Sequence, residues 1–193
     1  MEQKEVERNV KLRLLLESEK ELTENLTVEE KYRYYLGRMQ FMLYTSGAET
    51  IGKSDCSGSV CLALLLSTGY GIRVTADTLY RKYFTLPDGG KNTIRAAFFL
   101  SNYDRAPDST GRIYHENEAA HVVGLCGDDV CLDCSPPRSR LRCFSTMVNV
   151  YRAIDYRCVV RSLNMAALKE AAGCGRDLFG PDEEFKMLMG GAK

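Results

Sequence analysis

The run Val60-Cys61-Leu62-Ala63-Leu64-Leu65-Leu66 is wholly apolar and limits the possible folds more than any other segment. It lies within CSGSVCLALLLSTG (56–69), where the spacing predicts a helix closed by Gly69. Glycine suits that end because it adopts the left-handed conformation without strain. A helix that is apolar on every side is a buried one. This run is far too short to cross a bilayer, which takes about 20 apolar residues, so no stable membrane insertion is expected. The rest of the chain must therefore enclose it. At 193 residues the chain can do so, since a domain of this size buries roughly 70% of its extended surface. With 45% hydrophobic and 27% charged residues the composition excludes a wholly disordered chain. Lys and Arg number 26 and Asp and Glu number 26. The resulting zero net charge argues against an overall electrostatic grip on nucleic acid, and no nucleic-acid partner is expected.

Along the chain, residues 1–45 read as helical and amphipathic. Val10, Leu12, Leu14, Leu15 and Leu16 gather on a charged background. Thr27-x-x-Glu30 has the pattern of a capping box, which predicts a second helix from Val28 to about Leu43. Tyr32, Tyr35, Leu36, Met39 and Met42 would form its apolar face. A small-residue loop, SGAETIGKSD (46–55), leads to the buried helix, and Thr75 reads as the cap of a short helix beyond it. The period then changes. IRAAFFLS (94–101), AAHVVGLCG (119–127), VCLDCS (130–135) and DYRCVVRSL (155–163) read as strands, with Gly127-Asp128-Asp129 as a hairpin turn. Residues 101–117 form a long polar loop, of a length that is often functional. Helical signals return at 164–173 and 181–190. Helices, then a short antiparallel sheet, then helices make an α+β domain.

Asp55-Cys56-Ser57-Gly58 opens the buried helix. Most free cysteines are small buried residues without chemistry. A thiol at a helix N-terminus is different, because the helix dipole and free N–H groups favour the thiolate and can hold an oxyanion. The chain has only two histidines, His115 and His121. Strand alternation and the hairpin at 127–129 can set His121 beside Asp133. Asp133 would then orient the imidazole, and His121 would serve as base to Cys56.

These residues resemble the NlpC family of papain-like cell-wall peptidases over about residues 40–135. Asp55-Cys56-Ser57-Gly58 matches the start of that family's catalytic helix, and Tyr44-Thr45-Ser46-Gly47-Ala48 matches its upstream Tyr-x-x-Gly-small motif. His121-Val122-Val123-Gly124-Leu125-Cys126-Gly127-Asp128 fits the histidine strand, with Val123 where glycine is usual. Asp133 stands where the family usually has His, Asn or Gln, and Ile94 to Phe99 lacks the customary Gly-Asp. The resemblance implies Cys56 as nucleophile, His121 as general base and acid, and Asp133 as orienting residue. It implies an oxyanion hole from the Tyr44 hydroxyl and the Cys56 N–H. It also implies that Asp55 and Ser57 help to recognise the stem peptide, often its free amino end. The expected activity is hydrolysis of a peptidoglycan amide bond, γ-D-glutamyl–diamino acid first and muramoyl–L-alanine next. A papain-like acyltransferase or protein deamidase is the further alternative. The partner would be peptidoglycan or its soluble muropeptides, with no cofactor.

Cys126, Cys131, Cys134 and Cys143 give a C-x4-C-x2-C-x8-C spacing. An extended strand puts Cys131 and Cys134 on opposite faces, so no metal site is expected. Arg138, Arg140 and Arg142 make a basic loop, and Arg142 is a candidate wall of a groove meeting substrate carboxylates. The N-terminus has no uncharged core of a secretory signal. Cytoplasmic synthesis with mostly free thiols is therefore expected. Action on the wall would follow phage-type holin release or other delivery, as for an endolysin, or would fall on cytoplasmic muropeptides. The expected organisation is a helical extension at 1–40, a catalytic domain at 41–163 and a helical tail at 164–193.

Overall fold

Helix α1 (Val28–Arg38) begins where its sequence says it should. The Thr27 hydroxyl accepts from the Glu30 N–H at 3.2 Å and the Glu30 carboxylate accepts from the Thr27 N–H at 2.8 Å. Each side chain thus satisfies a backbone donor that the first turn leaves orphaned. These positions come from a computed structural model, which describes residues 11, 12, 14–50, 52–108 and 111–173. Val10, Cys174 and the helical signal at 181–190 lie outside them. α1 stops at Arg38, short of the expected Leu43, because Phe41 takes a φ of 70° and the chain turns into strand β1 (Leu43–Tyr44). Tyr32, Tyr35, Leu36, Met39 and Met42 are all buried.

Helix α2 (Cys56–Thr68) is capped by Asp55 and closed by Gly69 at a φ of 77°. Every residue from Ser57 to Ser67 is buried, so this helix is the centre of the molecule. Each large apolar side chain placed there contributes about 1.5–3 kcal/mol of burial free energy. Around it runs an eight-stranded sheet. The loop before α2 holds β2 (Glu49–Thr50) and β3 (Lys53–Ser54). The main strands are β4 (Arg95–Ser101), β5 (Ala119–Leu125), β6 (Val130–Ser135), β7 (Arg138–Cys143) and β8 (Tyr156–Ser162). Their order is β2-β3-β1-β7-β6-β5-β4-β8, antiparallel throughout except for the β1–β3 pair.

Strand alternation sends two sets of side chains to two cores. Ala96, Phe98, Leu100, Val122 and Leu132 face α1 and α2. Ala97, Phe99, Val123, Leu125 and Cys131 face helix α3 (Phe144–Ala153) through Met147. Helix α4 (Met165–Gly173) returns Leu168 to the first core. The architecture is α+β. Two elements differ from expectation. PPRSRLR is a turn followed by a full strand, β7, rather than a loop. Residues 144–153 form a helix that is not among the expected elements, although Phe144, Met147, Val148 and Tyr151 stand at helical spacing. Among the described residues no helix is long and apolar enough to cross a membrane.

Gly124 lets β5 lie directly against α1. A Cβ there would meet the Leu36 side chain at 2.6 and 2.7 Å, whereas one on Gly37 within α1 would meet nothing within 4 Å. Gly124→Ala is therefore expected to destabilise the protein by about 1–3 kcal/mol through overpacking. Gly37→Ala is expected to be neutral or stabilising by up to about 1 kcal/mol. Urea unfolding of the two variants checks the contrast.

Candidate active site

Cys56 is the first residue of α2 and His121 lies near the start of β5, across the helix terminus from it. The imidazole is close enough to the sulfur for its positive charge to act on the thiol. His121 Nε2 lies 3.0 Å from Asp133 Oδ1 on β6. With Nε2 engaged by the carboxylate, Nδ1 is the nitrogen that serves Cys56. The structure thus brings together the three residues that the sequence singles out. Asp133 is buried, and its second oxygen accepts from Ser135 Oγ at 2.7 Å and Arg142 Nε at 2.8 Å.

Charge explains the thiol. Burial works against a Cys56 thiolate, but the positive charge of the adjoining His121 outweighs it, and the Cys56 pKa is lowered. Burial likewise opposes an imidazolium. The Cys56 thiolate and the Asp133 carboxylate overcome that opposition and hold the His121 pKa up at about 9. Burial also acts against the Asp133 carboxylate, yet its bond to His121 keeps its pKa below the usual range. Elsewhere burial meets no such compensation and pushes Cys61, Cys126, Cys131 and Cys134 up to about 12. Cys56 is set apart from them by its partner.

An aromatic stack braces the histidine. Tyr151 of α3 lies parallel to the His121 ring, with centroids 5.4 Å apart and an 8° interplanar angle, and stacks on Phe99 at 4.0 Å. A tyrosine face favours an imidazolium over a neutral ring.

Tyr44 sits in β1, opposite Ser54 in the parallel β1–β3 pairing, immediately before Asp55 and Cys56. Burial and the nearby Cys56 charge push its hydroxyl up to about 12, so it stays protonated and able to donate. Asp55 and Ser57 flank the nucleophile, and their polar atoms are engaged within the protein. Asp55 Oδ1 accepts from the Gly58 N–H at 2.7 Å and Ser57 Oγ at 3.1 Å. Asp55 Oδ2 accepts from the Gly47 N–H and an Arg73 terminal nitrogen, each at 2.6 Å. Arg73 also reaches Ser57 Oγ at 2.9 Å. Gly58 permits this tight corner, since a Cβ there would lie 2.1 Å from the Ala48 carbonyl. Arg142, expected as a groove wall, is paired with Asp133. Arg140 stands directly across the β6–β7 ladder from Asp133, yet Arg142, two pairs further along and on the same face, makes the ion pair.

Arg73 and Tyr151 escape sequence reasoning. Arg73 has no local signature, because its partner lies 18 positions away. Tyr151 could have been found from the helical spacing of 144–151. Cys131 and Cys134 lie apart as strand alternation requires: Cys131 is in the α3-side core, and Cys134 Sγ donates to the Ser54 carbonyl at 3.3 Å.

Iodoacetamide is expected to label Cys56 at a pH below that at which an ordinary thiol ionises. His121→Ala is expected to slow that labelling at least about tenfold, the effect of one pKa unit. Mass spectrometry of the Cys56 peptide over a pH series checks it. Equal rates in the two proteins would mean that His121 does not ionise the thiol.

No family model matches the sequence, and no curated protein matches it. Solved structures do. The chain aligns with the structure of NlpC1 from Trichomonas vaginalis at a TM-score of 0.50 and 16% identity, over 72% of this chain and 44% of that one. With NlpC2 from the same organism the TM-score is 0.51 and the identity 16%, over 72% and 47%. This chain therefore spans less than half the length of either protein. At such identity the likeness is one of architecture, and the protein has an α+β fold of the NlpC type.

Proposed function

We propose that the protein is a thiol hydrolase that cleaves an amide bond in the stem peptide of peptidoglycan. The preferred bond is the one joining D-glutamate, through its γ-carboxyl, to the diamino acid. The observation that carries this reading is the Cys56–His121–Asp133 arrangement at the start of a buried helix on an NlpC-type fold. Peptidoglycan as substrate comes from the sequence motifs around Tyr44, Cys56 and His121, not from the geometry.

The chemistry follows from the charges. The Cys56 thiolate attacks the amide carbon, and a C–S bond forms as the carbonyl oxygen becomes an oxyanion. The Cys56 N–H, unpaired in the first helical turn, and the protonated Tyr44 hydroxyl stabilise that oxyanion. His121 gives its proton to the departing nitrogen as the C–N bond breaks, and the amine leaves. Water then attacks the thioester and yields its proton to His121. The C–S bond breaks, releasing the acid and restoring thiolate and imidazolium. Asp133 keeps the ring in place through both steps, and Arg142 and Ser135 keep Asp133 in place.

Digestion of sacculi and of soluble muropeptides by wild type and Cys56→Ala, followed by mass spectrometry, tests this. New amines on the diamino acid, absent with Cys56→Ala, are expected, with activity falling as pH rises through about 9, where His121 loses its proton. Cleavage at muramoyl–L-alanine instead would keep the mechanism and change the bond. Cleavage of neither substrate would contradict a wall substrate and favour acyl transfer or protein deamidation.

A further inference from the structure

Beside the segment between β4 and β5, which delivers His121 to the site, lies an open pocket of about 350 Å³. Its lining includes Tyr103, Arg105, Asp108, Tyr114 and Tyr156. Arg105 is its fixed point. Arg105 Nε donates to Ser101 Oγ at 2.9 Å, and one terminal nitrogen donates to the Ile154 and Asp155 carbonyls at 2.6 and 3.0 Å. The guanidinium lies 3.9 Å from the Tyr156 ring centroid and 4.9 Å from that of Tyr103. Carbonyl and hydroxyl acceptors hold a guanidinium in place without cancelling its charge. Among the described residues Arg105 forms no ion pair. Arg73, Arg112 and Arg142, by contrast, are each paired with a carboxylate. Arg105 is thus an immobilised cation held by neutral acceptors, its stacked plane suited to a planar anion.

The pocket adjoins the chemistry through a chain of rings. Tyr156 meets Tyr151 edge to face at 5.5 Å, and Tyr151 stacks on His121 at 5.4 Å. Tyr114, also in the lining, lies within the field of the Cys56 thiolate. His121 is the group that protonates the departing amine, so a pocket on its side receives the amine half of the substrate. Asp108 in the same lining disfavours anions of higher charge, such as a phosphate.

We propose that this pocket is the leaving-group subsite, and that Arg105 selects substrates whose departing residue carries a free carboxylate. This rests on the stem-peptide reading above and adds to it which stem peptides are cut. Two soluble muropeptides test it, identical except that the free carboxylate of the terminal diamino acid is a carboxamide in one. With wild-type protein the KM for the carboxamide is expected to be about tenfold higher or more, as for a lost charge-assisted hydrogen bond, with kcat little changed. Arg105→Gln is expected to raise KM for the acid form to the level of the carboxamide, and Arg105→Lys to restore part of the difference. The wild-type comparison requires no variant to fold, and calorimetric titration of the Cys56→Ala protein with both compounds gives the same contrast as binding. Equal KM values for acid and carboxamide, or an equal effect of Arg105→Gln on both, would overturn the inference and leave the stem-peptide reading standing. Cleavage of neither compound by wild type would overturn both.

Discussion

Three ionisable groups share a buried corner of this protein, and the histidine in the middle makes their company tolerable. A thiolate, an imidazolium and a carboxylate in line, with Arg142 beyond, sum to no net charge. Removing charges from water costs several kcal/mol per ion unless each finds a partner with good geometry. Here each does: sulfur on one side of His121, Asp133 on the other, and Ser135 and Arg142 on the far oxygen of Asp133. Asp55 and Arg73 form a second neutral pair beside the first. Without Arg73, the Asp55 charge would act unopposed on the neighbouring thiol, which it already disfavours as an anion.

The scaffold exists to hold that corner still. α2 is buried from Ser57 to Ser67, so its N-terminus has no freedom to drift. β5 and β6 are adjacent antiparallel strands, and the side-chain bond between His121 and Asp133 continues a ladder already set by Gly124 opposite Leu132 and Leu125 opposite Cys131. Gly58 and Gly124 permit the two close approaches that seat helix on loop and strand on helix. The ring stack of Phe99, Tyr151 and His121 then fixes the imidazole from the other core. Nucleophile and histidine are therefore positioned by elements from opposite faces of one sheet.

Much of this was legible in the sequence because its signals are local. The capping box at Thr27 and Glu30, the limits of α2, the main strands around His121 and Asp133, and their approach through a hairpin all follow from short-range patterns. The parts that were not legible depend on distant partners or conflicting signals. Three arginines in PPRSRLR resemble a solvated loop, and only pairing with β6 makes them strand β7. Arg142 looks like a ligand for substrate until the fold places it against Asp133. Arg73 becomes meaningful only when α2 brings Asp55 to it. Tyr151 carried a readable helical spacing, but its role needs the His121 ring above it.

The charge state of His121 decides how this site works, and nitrogen-15 NMR of the imidazole reads it directly. The chain has only two histidines, which makes assignment simple. His121 is expected to carry protons on both ring nitrogens at neutral pH and to titrate at about 9, with its pKa falling in Cys56→Ala. A His121 that is neutral at pH ~7.5 and titrates near the ordinary histidine value of about 6.5, unchanged by loss of the thiol, would contradict it.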